Sequence, residues 1–179
     1  MRNAVRIFAV IIAASVVAWA TSVRPMSIDK LTQEASNIVE ARAVQTWSAW
    51  NAQHTRIYTF TRVNVSRSLK GGAVSNMVVK QPGGTKDGIK EIVFGVRHLQ
   101  PGEDAVLFLR PSVDNDGTHV VVGLMQGSFR VYRSTSGQLH VSNGMPEVTA
   151  VDSSGRMTAF TGSRMTLQQL ESRVQAVAK

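Results

Sequence analysis

The sequence predicts a mainly β domain: a small, partly open barrel of five or six strands, with a short helix before it and an amphipathic helix closing it. Three observations lead there. Runs of β-branched and aromatic residues interleave with polar ones over strand lengths. Gly, Pro, Asn and Asp clusters punctuate those runs. Helix-capping signals stand at the two ends of the domain.

The fold is expected to begin after an export signal. Arg2 and Arg6 form a positive start, Ile7 to Val17 is an apolar run, and Ala18-Trp19-Ala20 offers the small residues of a cleavage site. The run is shorter than the ~20 residues of a membrane-spanning helix, so cleavage near Thr21 is expected, with no transmembrane helix in the mature chain. Residues 21–179 then make one domain, placed in the periplasm or outside the cell. The chain has no Cys. Neither lipid attachment nor a disulfide is available, and an exported domain of this size must rest on its core.

Met26-Ser27-Ile28-Asp29-Lys30-Leu31 reads as a helix start. Ser27 caps, Asp29 complements the dipole and Met26 staples onto Leu31, with the helix stopping near Ser36. Asn37 to Trp50 becomes strand-like, and Asn51 to His54 turns the chain. Arg56 to Gly71 is a long half-buried strand expected at the centre of the sheet. Its apolar phase changes from Tyr58 and Phe60 to Val63 and Val65, which requires a bulge or burial of both faces. A third strand, Ala73 to Gln81, is stopped by Pro82-Gly83-Gly84. Thr85 to Gly102 reads as an irregular crossing with a short strand near Glu91 to Val96. Ala105 to Leu109 is continuously apolar and so buried on both sides. Asp114-Asn115-Asp116-Gly117 is a hairpin loop, His119 to Leu124 the return strand, and Gly123 and Gly127 mark a bend. Phe129 to Tyr132 and Gln138 to Val141 form a second hairpin. Asn143 to Ser163 reads as loop. Thr166 opens the last helix, 166–178, with a capping box to Gln169, and Leu167, Leu170, Val174 and Val177 share a face.

Net charge is +8, and +6 once Arg2 and Arg6 are removed. The excess lies between Arg42 and Arg97, where nine basic residues face only Asp87 and Glu91. Such a field attracts an anionic envelope component, lipid headgroup or acidic polysaccharide, or an acidic protein, unless the charge is only solubilising. Arg42, Arg56, Arg62 and Arg67 are the candidate cationic residues. Tyr58 and Trp47, with Phe60 and Trp50, are either a stacking platform beside them or ordinary core. Export argues against nucleic acid.

Catalytic and metal signals fail on inspection. Gly83 to Lys90 has the outline of a phosphate loop, but Ile89 occupies the place of the essential Lys. Ser112 to Gly117 opens like a calcium loop whose twelfth position is Gly123 rather than Glu. His54, His98, His119 and His140 stand singly, outside metal-ligand spacing, and no nucleophile elbow occurs. The sequence therefore points to no catalytic residue, no metal and no cofactor.

Four pieces in order carry a resemblance: Ile57-Tyr58-Thr59 leading to Leu69-Lys70-Gly71; Gln81-Pro82-Gly83-Gly84; Pro101 to Leu109; and Val122 to Val131. Over roughly residues 27–133 with the closing helix, the chain resembles a group of uncharacterised exported bacterial domains. Their layout is similar to the five-stranded barrel of netrin-like domains and tissue inhibitors of metalloproteinases. The resemblance implies a barrel of the oligonucleotide/oligosaccharide-binding type. Those inhibitors reach zinc through an N-terminal Cys, which this chain lacks, so their inhibitory residues do not carry over. The expected function is a non-enzymatic binding or structural module. A protease-directed inhibitor or accessory domain, and a hydrolase with a dispersed site, are the alternatives.

Overall fold

The computed structural model describes residues 22–151 and 154–178. The export signal read from residues 1–20 lies outside the described residues.

The elements run β1 (Ser22–Val23), α1 (Ile28–Glu34), β2 (Asn37–Trp50), β3 (Ile57–Lys70), β4 (Asn76–Pro82), β5 (Gly84–Lys86), β6 (Ile89–Glu91), β7 (Asp104–Pro111) and β8 (His119–Val121). A 3-10 turn, Leu124–Gly127, leads into β9 (Ser128–Arg133), β10 (Leu139–Ser142), β11 (Met145–Val151), β12 (Met157–Phe160), β13 (Arg164–Thr166) and α2 (Leu167–Val177). The protein is mainly β, with a short helix near the start and a second helix at the end.

Eight strands form one sheet in the order β13-β10-β9-β7-β2-β3-β4-β8, and a further antiparallel pairing joins β8 back to β7. The strands β2, β3, β4, β8 and β7 thereby close a ring. Every contact in it is antiparallel except β4 with β8, which meet in parallel at Val79 and His119. The long strand β3 lies between β2 and β4 in that ring.

Two cores result, one on each face of the ring wall. Val39, Ala41, Ala43, Val63, Met77, Val79, Ala105, Leu107, Leu109 and Val121 fill the inside, and Leu99 joins them. Outside, Ile38, Val106, Phe108, Phe129 and Val141 pack beneath Ile28 and Leu31 of α1 and Leu170 and Val174 of α2. The run Ala105 to Leu109 is apolar throughout because β7 is buried by both layers: odd positions face in and even positions face the helices. Both helices begin as their caps predict. The Ser27 hydroxyl accepts from Lys30 N, and Thr166 and Gln169 form a reciprocal capping box.

The change of facing expected in β3 between Phe60 and Val63 does not occur: Tyr58 and Phe60 are half-buried on one face while Val63 is buried on the other. From Ile57 to Val65 the strand keeps one parity, with Ile57, Thr59, Thr61 and Val63 turned in and Tyr58, Phe60 and Arg62 turned out. The register with β2 shifts between Ile38 and Val39, between Glu40 and Ala41, and between Ala43 and Gln45. The last shift leaves Val44 as the extra residue. It moves the outward set of β2 from Arg42 to Gln45 and Trp47.

Other expectations are corrected. Asn143 to Ser163 is not all loop: β11 and β12 pair antiparallel there, and β1 adds in parallel to β11. Backbone pairing holds these strands, and no apolar alternation advertises it. The short strand expected near Glu91 to Val96 ends at Glu91, because Gly84–Lys86 and Ile89–Glu91 form a hairpin and residues 93–96 turn, with Gly95 at φ +77°. The return strand from His119 stops at Val121, where Gly123 at φ +65° opens the 3-10 turn.

Candidate binding groove

The inner wall of the ring becomes polar toward the β2–β3 connection. Thr59 Oγ1 donates to the Gly83 carbonyl at 2.8 Å, Gln81 Nε2 donates to the Arg97 carbonyl at 2.8 Å, and Ser48 and Thr59 hydroxyls lie 3.3 Å apart. These inward hydroxyls leave the aromatic residues of the same strands on the outside.

There Trp47 stacks on Phe60, with ring centroids 5.6 Å apart and planes 12° from parallel. Phe60 is opposite Trp47 on β2 and Lys80 on β4; Tyr58 is opposite Ala49 and Pro82. Lys80 is only 8% exposed although it points outward. Its ammonium sits 4.7 Å from the Tyr58 ring centroid and 5.8 Å from that of Phe60. The loop after β7 folds over it, bringing Asp114 Oδ2 to 2.5 Å and Asp116 Oδ2 to 3.1 Å from Nζ.

The result is a groove of about 390 Å³, lined by Trp50, Asn51, Ala52 and Gln53 on one side and Asp114 and Asp116 on the other, with Tyr58, Phe60 and Lys80 as its floor. Both walls are fixed by local bonds. Asn51 Oδ1 accepts from the backbone N–H groups of Thr55 and Arg56 at 2.8 and 3.0 Å. Trp50 Nε1 donates to Asp87 at 2.8 Å, and His54 stacks on the indole. Across the groove, Asp116 Oδ1 accepts from Thr118 N at 3.0 Å and also from its hydroxyl.

The electrostatics follow from these contacts. Burial pulls the Lys80 ammonium toward neutrality, but the hydrogen bonds to Asp114 and Asp116 outweigh it and hold the pKa above the ordinary lysine value. The Thr118 hydroxyl, ahead of its backbone N–H and Lys80, pulls Asp116 down to about 2. The groove therefore presents a fixed cation with two carboxylates around it.

The sequence-predicted residues divide. Tyr58 forms the groove floor, and Trp47 extends its aromatic surface through Phe60. Arg62 lies beside it, donating to Gln45 at 2.9 Å with its guanidinium 5.8 Å from the Trp47 ring. Arg42 is held by Asp104 through two bonds of 2.8 and 2.6 Å. Arg56 meets Glu91 at 2.9 Å, while the other Glu91 oxygen accepts from Ile57 N at 2.7 Å. Arg67 lies 3.4 Å from Glu40 and 3.1 Å from Glu171 of α2. Three of the four arginines thus face a carboxylate, and the basic segment is far less positive in space than along the chain. Arg97 is likewise paired with Glu103, which also lies 3.3 Å from Arg130.

Lys80, Asp114 and Asp116 were missed as site residues. A Lys ending the apolar run Met77-Val78-Val79 is the one local hint for the first. The acidic pair reads as a hairpin tip until the tertiary fold turns it over Lys80. Among the described residues no group of three His, Asp or Glu side chains is arranged to hold a metal ion, and no helix is long and apolar enough to cross a membrane. No family model matches the chain, and no curated protein matches it.

Proposed function

We propose that the protein is a non-enzymatic binding module whose five-strand ring is a barrel of the oligonucleotide/oligosaccharide-binding type, and that the groove takes neutral saccharide chains. The carrying observation is the position of the groove. It lies on the outer face of the second and third ring strands, between the loop joining the first two and the loop joining the last two. Ligands of such barrels occupy that place. The contact between β4 and β8 rests on one parallel residue pair, Val79 with His119, and such sparse pairing supports the reading of a partly open barrel.

The chemistry narrows the ligand. Half-buried aromatic faces accept the C–H face of a sugar ring, and a few fixed polar groups orient it. Asn51, Gln53, Asp114 and Asp116 supply those groups here. Two carboxylates around one ammonium disfavour a polyanion, which sets nucleic acid and acidic polysaccharide aside for this groove. The same ionisation speaks for binding over catalysis: Lys80 is held protonated, and Asp116, near 2, is a poor general acid at neutral pH.

The test is titration of the purified protein with neutral oligosaccharides of several linkages, read by Trp emission and calorimetry. A saccharide that shifts the emission, and whose affinity falls about tenfold or more in Tyr58→Ala, is the expected result. Saturation that Tyr58→Ala and Trp50→Ala leave unchanged, or no response across the panel, refutes the groove as a saccharide site.

A further inference from the structure

Away from the groove, the chain displays apolar side chains that no core explains. Ile89 is 54% exposed, and Ile92 and Phe94 are each 65% exposed. They lie within residues 89–94, which run along β6 of the β5–β6 hairpin and then enter a tight turn. In that turn Val96 N donates to the Val93 carbonyl at 3.2 Å, with Phe94 and Gly95 at the corners and Gly95 in the left-handed region at φ +77°. The Gly95 carbonyl accepts from Met125 N at 3.1 Å, and Met125 is buried. The turn is therefore bolted to the 3-10 segment, and the display of Phe94 is built in.

A second feature at the same spot is Leu124. It holds φ +59°, a conformation that is an outlier for a bulky side chain, and is 38% exposed. A Cβ placed on Gly95 lies 3.7 Å from Leu124 Cδ1, so Leu124 adjoins the turn. Four large apolar side chains are thus held outward by a hairpin and two left-handed backbone positions.

Charge says what covers them. Lys90, between Ile89 and Ile92 in the sequence, is exposed and carries no ion pair among the described residues. The carboxylates of the segment are paired: Asp87, itself exposed, with Trp50 Nε1 and Lys86, and Glu91 with Arg56 and the Ile57 N–H. A projecting apolar tip whose carboxylates are paired and whose lysine is unpaired among the described residues suits the boundary of an anionic lipid bilayer. The side chains enter the acyl region there and the lysine stays with the headgroups.

We propose that the 89–94 segment, with Leu124, is a membrane-docking tip that inserts into the surface of bilayers containing anionic lipid. The test uses vesicles of phosphatidylcholine, with and without phosphatidylglycerol. Because the chain has no Cys, Phe94→Cys takes a single environment-sensitive fluorophore. The protein is expected to sediment with the anionic vesicles, the probe to shift to apolar emission, and Phe94→Ser to weaken partition by about tenfold. Lys90→Glu should weaken it selectively on anionic vesicles. Absence of sedimentation, a probe indifferent to vesicles, or Phe94→Ser partitioning like the parent overturns the proposal. Concentration-dependent self-association that Phe94→Ser abolishes, without vesicle binding, also overturns it and assigns the patch to a second copy of the chain.

Discussion

Lys80 is the residue on which the groove turns, and Lys80→Met isolates its charge. Methionine keeps the unbranched stem packed where the lysine is 8% exposed, and removes only the ammonium. The loss includes two charge-assisted hydrogen bonds, to Asp114 and Asp116. Such bonds are worth about 1.5–3 kcal/mol each when shielded. These carboxylates are 55% and 35% exposed and recover water, so about 0.5–1 kcal/mol each is the appropriate figure. The contact with the Tyr58 ring adds about 0.5–1 kcal/mol. Relief of the buried ammonium's desolvation offsets part of this. Lys80→Met should therefore cost about 1–2 kcal/mol at neutral pH, measured by urea unfolding. The pH dependence supplies a second reading. Asp116 is depressed from 3.8 to about 2 in the folded protein, so its stabilisation is fully present above pH 3.8 and is lost as pH falls toward 2. Part of that depression comes from Lys80, so the gap between parent and variant should narrow across this window. A loss below about 0.3 kcal/mol at neutral pH, or a gap that stays constant down to pH 2, would falsify the view that Lys80 clamps the groove.

Two further perturbations test the scaffold that holds the site. Leu170 is fully buried between α2 and the ring wall, so Leu170→Ala should cost about 2–5 kcal/mol in denaturant unfolding, and a cost under about 0.5 kcal/mol would show that α2 is not docked. Gly84 stands at φ +140°, where an added Cβ meets Thr59 Oγ1 at 2.4 Å and Ser48 Oγ at 2.6 Å, while Gly88 at φ +78° has open space; Gly84→Ala should destabilise by at least about 1 kcal/mol more than Gly88→Ala, and equal costs would disprove the close approach.

What the sequence made legible was whatever is decided locally. Ser27, and Thr166 with Gln169, mark helix starts because a cap needs only its own next turn. The run Ala105 to Leu109 announces burial on both sides because both layers read the same five residues. Charge is different. Arg42 and Asp104 are sixty-two positions apart, and Arg67 meets Glu171 across the whole fold. A count along residues 42–97 sees the cations and misses most of the carboxylates that neutralise them, Asp104, Glu40, Glu171, Asp114, Asp116 and Glu103. The strands within 143–163 escaped for a related reason: their partners are backbone groups of each other and of β1, and such pairing leaves little trace in side-chain pattern.

The aromatic groove is the intermediate case, because its cause is visible in β3 once the strand is read from its far end. Val63 and Val65 belong to the inside of the ring, and no register shift against β4 interrupts the strand between Tyr58 and Asn64. Carrying their parity backward places Thr61, Thr59 and Ile57 inside. Phe60 and Tyr58 are then forced outside, although they are the larger apolar groups. The inward threonines satisfy their hydroxyls within the wall, as the Thr59 bond to the Gly83 carbonyl does. Burying the aromatics instead would turn Arg62 and Asn64 inward, each without a partner, at a cost of several kcal/mol. The aromatics are thus displayed because the other half of the strand decides their facing. The surface they make is half-covered by Lys80 and the 112–118 loop, while Trp50 and Asn51 wall its other side, leaving an open apolar floor with fixed polar edges.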